Sequence, residues 1–302
     1  MGGGRWDSST YSTYRSANTA GKSAAEIFTA RTINKDYSPK NIKMRESRDS
    51  DDNPQSNAII VAMDVTGSMG HIPRELIDGG LGTFIEELFS KAPITDPHLM
   101  LNFFDDVKFI GDRSLQATQF EADIRIAAQM KELMITGVGG GNNSESYHLP
   151  LYFAAFHTSI DCFEKRNKKG LLFTFGDESV PPPLRAEEIE EVFGYRPEFK
   201  EMSYKELFEA ASRTYDVFHL VVIHGGYSEI DRWRAEIGEH AIPVTDYTKI
   251  PEIMTSIIRA NAGEDHSTIV ADYKGGTAVA VRTAISGLTP TSGAGSSGVV
   301  SL

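Results

Sequence analysis

The chain has 302 residues, 40 % of them apolar and 24 % charged, with a formal net charge of −12, which is the balance of a globular protein. The charge is uneven: residues 1–57 carry 9 Lys and Arg against 7 Asp and Glu, and the remainder 21 against 35, so the acidic body argues against general nucleic-acid binding, which needs basic surface. No apolar run spans a bilayer, the first ten residues hold no signal-peptide core, and a single cysteine, Cys162, excludes an internal disulfide or a cysteine-based zinc site, so a cytoplasmic location is expected.

Residues 1–57 are rich in Ser, Thr, Asn, Arg and Tyr and poor in large aliphatics, which reads as an extended arm rather than a core. Tyr11, Tyr14, Ile27, Phe28, Ile33 and Tyr37 are spaced along it as anchors for the body or for a neighbouring chain. A short helix is expected within 23–32, and 45–57 reads as a polar linker. Residues 20–23, AGKS, imitate the end of a phosphate-binding loop. That loop needs Gly at position 16, where Ser16 stands, and no buried strand precedes it.

The next segment, 58–70, reads AIIVAMDVTGSMG. Its apolar run has the length and β-branching of a strand buried on both faces, as in a parallel sheet. The run ends in one carboxylate and two hydroxyls at alternate positions, Asp64, Thr66 and Ser68, with Gly67 and Gly70 allowing a tight loop. Hard oxygens on such a loop suit Mg²⁺ or Mn²⁺. The plainer reading makes Asp64 a helix cap and Thr66 and Ser68 turn formers.

Beyond it, Ile77, Leu81, Phe84 and Leu88 predict an amphipathic helix to about Ser90, and Gly79, Gly80 and Gly82 inside it stand for close helix–sheet packing or for a break. Residues 98–104 and 107–110 are expected to form a hairpin turning at Asp105 and Asp106. A helix near 119–134, a glycine-rich loop at 137–146 and a helix to about 159 follow. The run LLFTF at 171–175 is a second buried strand, and it too ends in an aspartate, Asp177. Residues 179–202 look inserted, 204–213 helical, 217–223 a buried strand, 229–236 helical, 241–244 a short strand and 251–260 helical. Strands alternating with helices imply parallel βαβ units. A strand or hairpin is expected at 268–284, before a low-complexity tail. The expected organisation is an arm at 1–57, a domain at 58–262 and an extension at 263–302.

In an open α/β sheet, ligands sit beyond the carboxyl ends of the strands, so two strand-end aspartates can converge on one ion. The D-x-T-G-S run followed by a later strand-end Asp resembles the metal-ion-dependent adhesion site of von Willebrand factor type A domains, over roughly 58–262. The resemblance implies an α/β, doubly wound, mostly parallel sheet with helices on both faces. It also implies Asp64, Thr66, Ser68 and Asp177 as ligands of Mg²⁺ or Mn²⁺. A second loop should add a hydroxyl, usually Thr, but no Thr follows the glycines here. Asn142, Asn143 and Ser144 are the available oxygens, and Ser144 is the choice made.

The implied function is an adaptor, not an enzyme. It would bind a partner's carboxylate through the ion, with an ATPase or other multi-protein assembly as partner and homo-oligomers possible through the arm. Two alternatives are a structural component of an assembly and a metal-dependent phosphoester hydrolase. A haloacid-dehalogenase-like hydrolase needs a second Asp two residues after the first, where Thr66 stands, and another Asp at position 181, which is Pro181. Glu145 and Glu178 are the acidic groups that would serve a hydrolase as base. The eight histidines, among them His71, His98, His148 and His157, show no metal-binding spacing and read as core or surface residues.

Overall fold

The computed structural model describes residues 4–137 and 144–289. Its centre is a six-stranded sheet: β1 (Asn57–Asp64), β2 (Pro97–Phe104), β3 (Leu115–Ala117), β4 (Gly170–Gly176), β5 (Tyr215–Val222) and β6 (Ala241–Val244). The strands lie in the order β6-β5-β4-β1-β2-β3, and every pairing is parallel except β2 with β3. This is a doubly wound α/β architecture whose order reverses at β1, the strand carrying the motif.

Residues of β1 alternate between two cores. Ile59, Val61 and Met63 face one apolar cluster, and Ala58, Ile60 and Ala62 face the other, as a central strand with both faces covered requires. The first face is covered by α1 (Ser8–Asn18), α2 (Leu81–Lys91), α3 (Arg125–Glu132), α8 (Ile250–Asn261), α9 (His266–Ala271) and α10 (Gly275–Ile285). The second is covered by α4 (His148–Phe156), α5 (Ala186–Phe193), α6 (Tyr204–Ala211) and α7 (Ile230–Ile237). In register, Met63 lies opposite Phe103 of β2 and Phe175 of β4, so the ends of the three strands come level.

Residues 4–57 lie along this body. Ile27, Phe28 and Tyr37 are buried in the first core, with Trp6 and Tyr14 packed against it. The segment Arg45–Ser47, expected as plain linker, pairs in parallel with Thr158–Ile160. Arg48 ties the same stretch to Asp161 at 2.8 Å and Glu164 at 2.6 Å.

Three further expectations are corrected. The helix after the motif is broken: a turn at Ile72–Glu75 leads into a wide turn at Leu76–Gly80, where Gly79 adopts φ +143°. Only glycine adopts that conformation without strain. The arm occupies the break. The Tyr11 hydroxyl donates to the Ile77 carbonyl at 2.9 Å and Arg15 Nε to the Asp78 carbonyl at 2.9 Å, and the Tyr11 ring fills the space left beside Gly82.

The expected second strand of the hairpin, 107–110, is instead a helical turn. Asp106 caps it by accepting from the Lys108 N–H at 2.9 Å, and the antiparallel partner of β2 comes later, at β3. The expected strand at 268–284 is two helices, α9 and α10. Asp265 caps α9, and Ala280, Val281, Ala284 and Ile285 recur at helical spacing to bury one face of α10 beside α8. Among the described residues, no helix is long and apolar enough to cross a membrane.

Tyr11 is buried and hydrogen-bonded to a carbonyl that the helix break leaves without its usual partner. Tyr11→Ala should therefore destabilise the protein by about 3 kcal/mol or more, through the cavity and the orphaned carbonyl. Urea unfolding measures this, and a loss under about 1 kcal/mol would show that the arm is not part of the cooperative fold.

Candidate metal centre

The site is built on the level ends of β1 and β4. Asp64, the last residue of β1, is fully buried, and its Oδ1 accepts the Thr66 N–H at 2.8 Å, which folds the D-x-T loop tightly back on the strand. The Thr66 hydroxyl is buried beside this carboxylate, yet makes no hydrogen bond of ordinary geometry. Ser68 is on the exposed side of the loop. Asp177 follows β4 directly. It is 5 % exposed, and its Oδ1 has no partner among the described residues.

Two further groups lie near Asp177. His224 Nε2 stands 3.7 Å from Asp177 Oδ2, and the His71 ring packs edge-on against His224 and Tyr247. Two histidines therefore stand beside the site. Their sequence spacing conceals this, because one follows the motif loop and the other follows β5.

The two strand ends are joined by a residue that no motif marks. Tyr147, fully buried, donates its hydroxyl to Asp64 Oδ2 at 3.1 Å and accepts the Glu178 N–H at 3.1 Å. Its ring lies where a Cβ on Gly176 would sit, 2.1 Å from that position, so position 176 takes only glycine. The Gly176-Asp177 pair was visible in the sequence, but nothing local linked it to Tyr147. Burial, with the charges of Asp64 and Asp177, raises the Tyr147 phenol well above its ordinary pKa, so it stays a neutral donor. Thr136, just ahead of the glycines, donates to Asp105 and lies 3.4 Å from the Val65 carbonyl, buttressing the loop from the β2 side.

Of the second-loop candidates, Asn142 and Asn143 lie outside the described residues. Ser144 is held by a parallel bridge to Ser179, which places it beside the segment following Asp177. Glu145, next in the chain, is 5 % exposed with Oε2 unpartnered.

The electrostatics are those of anionic groups crowded out of water. Burial first, then the charge of Asp177, raises Asp64 to about 7, against the opposing hydrogen bonds from Thr66 and Tyr147. Burial, then Asp64, Asp105, Asp106 and Glu178 in turn, raises Glu145 to about 9. Among the described residues, His224 is the only basic side chain within 4 Å of an Asp64 or Asp177 carboxylate oxygen, and no three His, Cys, Asp or Glu side chains stand in direct metal-holding geometry. The residues fit a hard cation held by few direct carboxylates. The orphaned Thr66 hydroxyl and Asp177 Oδ1 are neutral and anionic oxygens of the kind Mg²⁺ takes, and Mg²⁺ keeps several of its waters.

No family model and no curated protein matches the chain. Among solved structures, it overlaps the pilus adhesin SpaC from Lactobacillus rhamnosus GG in its open conformation, with TM-score 0.44 and 9 % identity, over 72 % of this chain and 31 % of that one. It overlaps proximal thread matrix protein 1 from the mussel byssus with TM-score 0.41 and 13 % identity, over 68 % of this chain and 45 % of that one. A further structure of that byssus protein, with a zinc-occupied MIDAS motif, overlaps with TM-score 0.39. The chain thus spans less than half of each of these proteins, and its architecture is assigned from its own strand order.

Two outcomes follow from the geometry. Tyr147→Phe removes the donor that orients Asp64 while keeping the ring, and should weaken Mg²⁺ or Mn²⁺ binding by roughly tenfold or more with the fold intact. Calorimetric titration reads this, and an unchanged affinity would deny Tyr147 that role.

The second outcome concerns pH. Asp64 and Glu145 both have folded-state pKa values above the ordinary carboxylate range, so the folded state holds protons that the unfolded state releases. Metal-free stability is then greatest below about pH 4 as far as these two groups are concerned, and is lost as pH rises through about 7 and about 9. The melting temperature without metal should fall from pH 5 to pH 9, and saturating Mg²⁺ should flatten that fall.

Proposed function

We propose that the chain is a metal-dependent protein-interaction module of the von Willebrand factor A type. In this reading Asp64, Thr66, Ser68, Ser144 and Asp177 hold Mg²⁺ or Mn²⁺, and the ion accepts a carboxylate from a partner protein. The observation that carries it is the pair of buried aspartates at the level ends of adjacent parallel strands, close enough that the charge of one acts on the other, with the Thr66 hydroxyl buried beside Asp64 and Asp177 Oδ1 left without a donor among the described residues. Two like charges so placed repel, and each loses its hydration. A divalent cation answers both costs at once. Asp64 and Asp177 would neutralise the charge of a bound divalent ion, and the Thr66 hydroxyl would offer it a neutral oxygen without adding charge.

The partner is proposed to be an ATPase or another member of a multi-protein assembly, and the compartment cytoplasmic. Tyr11, Phe28 and Tyr37 are buried in the chain's own body, so any arm-mediated oligomer would use other residues. Hydrolysis of a phosphoester is the second reading, kept because Glu145 and Glu178 lie near the site. The haloacid-dehalogenase route has no proton-transfer group at Thr66.

Mg²⁺ should raise the melting temperature of the wild-type protein. Asp64→Ala should abolish that rise and leave the metal-free melting temperature equal or higher, because it removes a buried repulsive charge. Capture of a soluble partner should need Mg²⁺ and be lost in chelator and in Asp64→Ala, with p-nitrophenyl phosphate turned over no faster than by buffer. Collapse of the Asp64→Ala fold, with no Mg²⁺ response in the wild type, would make Asp64 a structural cap.

A further inference from the structure

Glu145 has no structural task that the fold reveals. It sits between Ser144, bridged to Ser179, and Tyr147, whose N–H turns back to the Glu145 carbonyl at 2.9 Å and whose hydroxyl holds Asp64. The residue is 5 % exposed, and Oε2 is buried with no hydrogen-bond donor among the described residues. The charges that act on it most strongly are those of Asp64, Asp105, Asp106 and Glu178, all of them carboxylates.

The neighbouring acids differ from it in one respect, because their oxygens are engaged. Asp105 accepts the Asp106 N–H at 2.6 Å and the Thr136 hydroxyl, and Asp106 accepts the Lys108 N–H at 2.9 Å. Of Asp105, Asp106 and Glu145, Glu145 is the one with a buried carboxylate oxygen lacking a donor among the described residues, and Asp64 is the charge that acts on it most strongly. A buried acceptor without a donor costs on the order of 1–3 kcal/mol, and more if charged, so this arrangement points to a missing donor.

We propose that Glu145 is a third carboxylate of the cation site, acting on the ion through its hydration waters rather than by direct ligation. This rests on the reading of the site as a cation site. Direct ligation does not suit the geometry, since no three acidic or imidazole side chains among the described residues converge closely enough. An outer carboxylate does suit it. Mg²⁺ retains several waters, those waters are strong donors, and an open carboxylate oxygen in a dry pocket accepts them.

The consequence is specific to this chain. Next to Ser144, the hydroxyl assigned to the second loop, this chain adds an acid. With a divalent ion bound and all three ionised, Asp64, Asp177 and Glu145 would outweigh it by one negative charge. The site therefore binds its cation more tightly and accepts an incoming carboxylate less readily than two aspartates alone would. A partner must bring compensating positive charge beside its carboxylate, or displace the waters that Glu145 holds.

The test is calorimetric titration of the full-length chain with Mn²⁺ and with Mg²⁺, on the wild type, Glu145→Gln, Ser144→Ala and Asp64→Asn, each first checked by metal-free thermal unfolding. Glu145→Gln keeps the shape and removes the charge. It should weaken Mn²⁺ and Mg²⁺ binding roughly tenfold or more without lowering the metal-free melting temperature, while Asp64→Asn abolishes binding. If Asp64→Asn abolishes binding and Glu145→Gln matches the wild type, Glu145 is a buried neutral acid and the proposal is overturned, though the cation site stands. If Ser144→Ala costs tenfold and Glu145→Gln nothing, the second loop contributes its hydroxyl and the proposal is likewise overturned. If the wild type binds neither ion, the cation site falls and Glu145's role falls with it.

Discussion

The fold places Asp64 where a charged group is least comfortable, at the end of the central strand and fully out of water. Everything around it answers that placement. The backbone of Thr66 turns to donate to one carboxylate oxygen and the Tyr147 hydroxyl donates to the other. Two neutral donors stabilise the charge without cancelling it, and Asp177 on the next strand adds a second negative charge. Burial still dominates and holds Asp64 at about 7. A site that costs the fold this much in the absence of a cation is consistent with one built to receive it.

The scaffold makes that placement rigid. Parallel register brings β1, β2 and β4 to a common level, and apolar residues of β1 fill cores on both faces. Tyr147 then locks the ends of β1 and β4 with one hydroxyl, in space that Gly176 leaves open. On the other side of the motif, the following helix breaks at Gly79, and Tyr11 and Arg15 of the arm satisfy the exposed carbonyls. The arm is therefore packed against the element that leaves the motif loop, which links its docking to that loop's support.

Much of this was legible in the sequence, and the reasons differ by element. The buried strands at β1, β4 and β5 announce themselves because a strand covered on both faces must be apolar throughout, and their abrupt polar ends mark the loops. The doubly wound order follows from alternating strands and helices. What was not legible depended on contacts between distant segments. The run 268–284 is rich in Ala, Val, Thr and Gly, a composition shared by strand and helix, and only its packing on α8 decides. Residues 107–110 are four apolar-leaning residues whose state is set by the Asp106 cap. Tyr147 and Glu145 sit just after a glycine-rich loop, and neither spacing nor composition ties them to a strand end some 80 residues earlier. The histidines mislead in the same way, since His71 and His224 meet only in the folded chain.

The most direct test of the account is to locate the cation. Crystals of the chain grown with Mn²⁺ and measured at the manganese absorption edge should show one anomalous peak between the carboxylates of Asp64 and Asp177, within about 2.5 Å of the Thr66 hydroxyl, and no peak there in Asp64→Asn. Absence of a peak at that place in the wild type, or a peak that persists in Asp64→Asn, would contradict it.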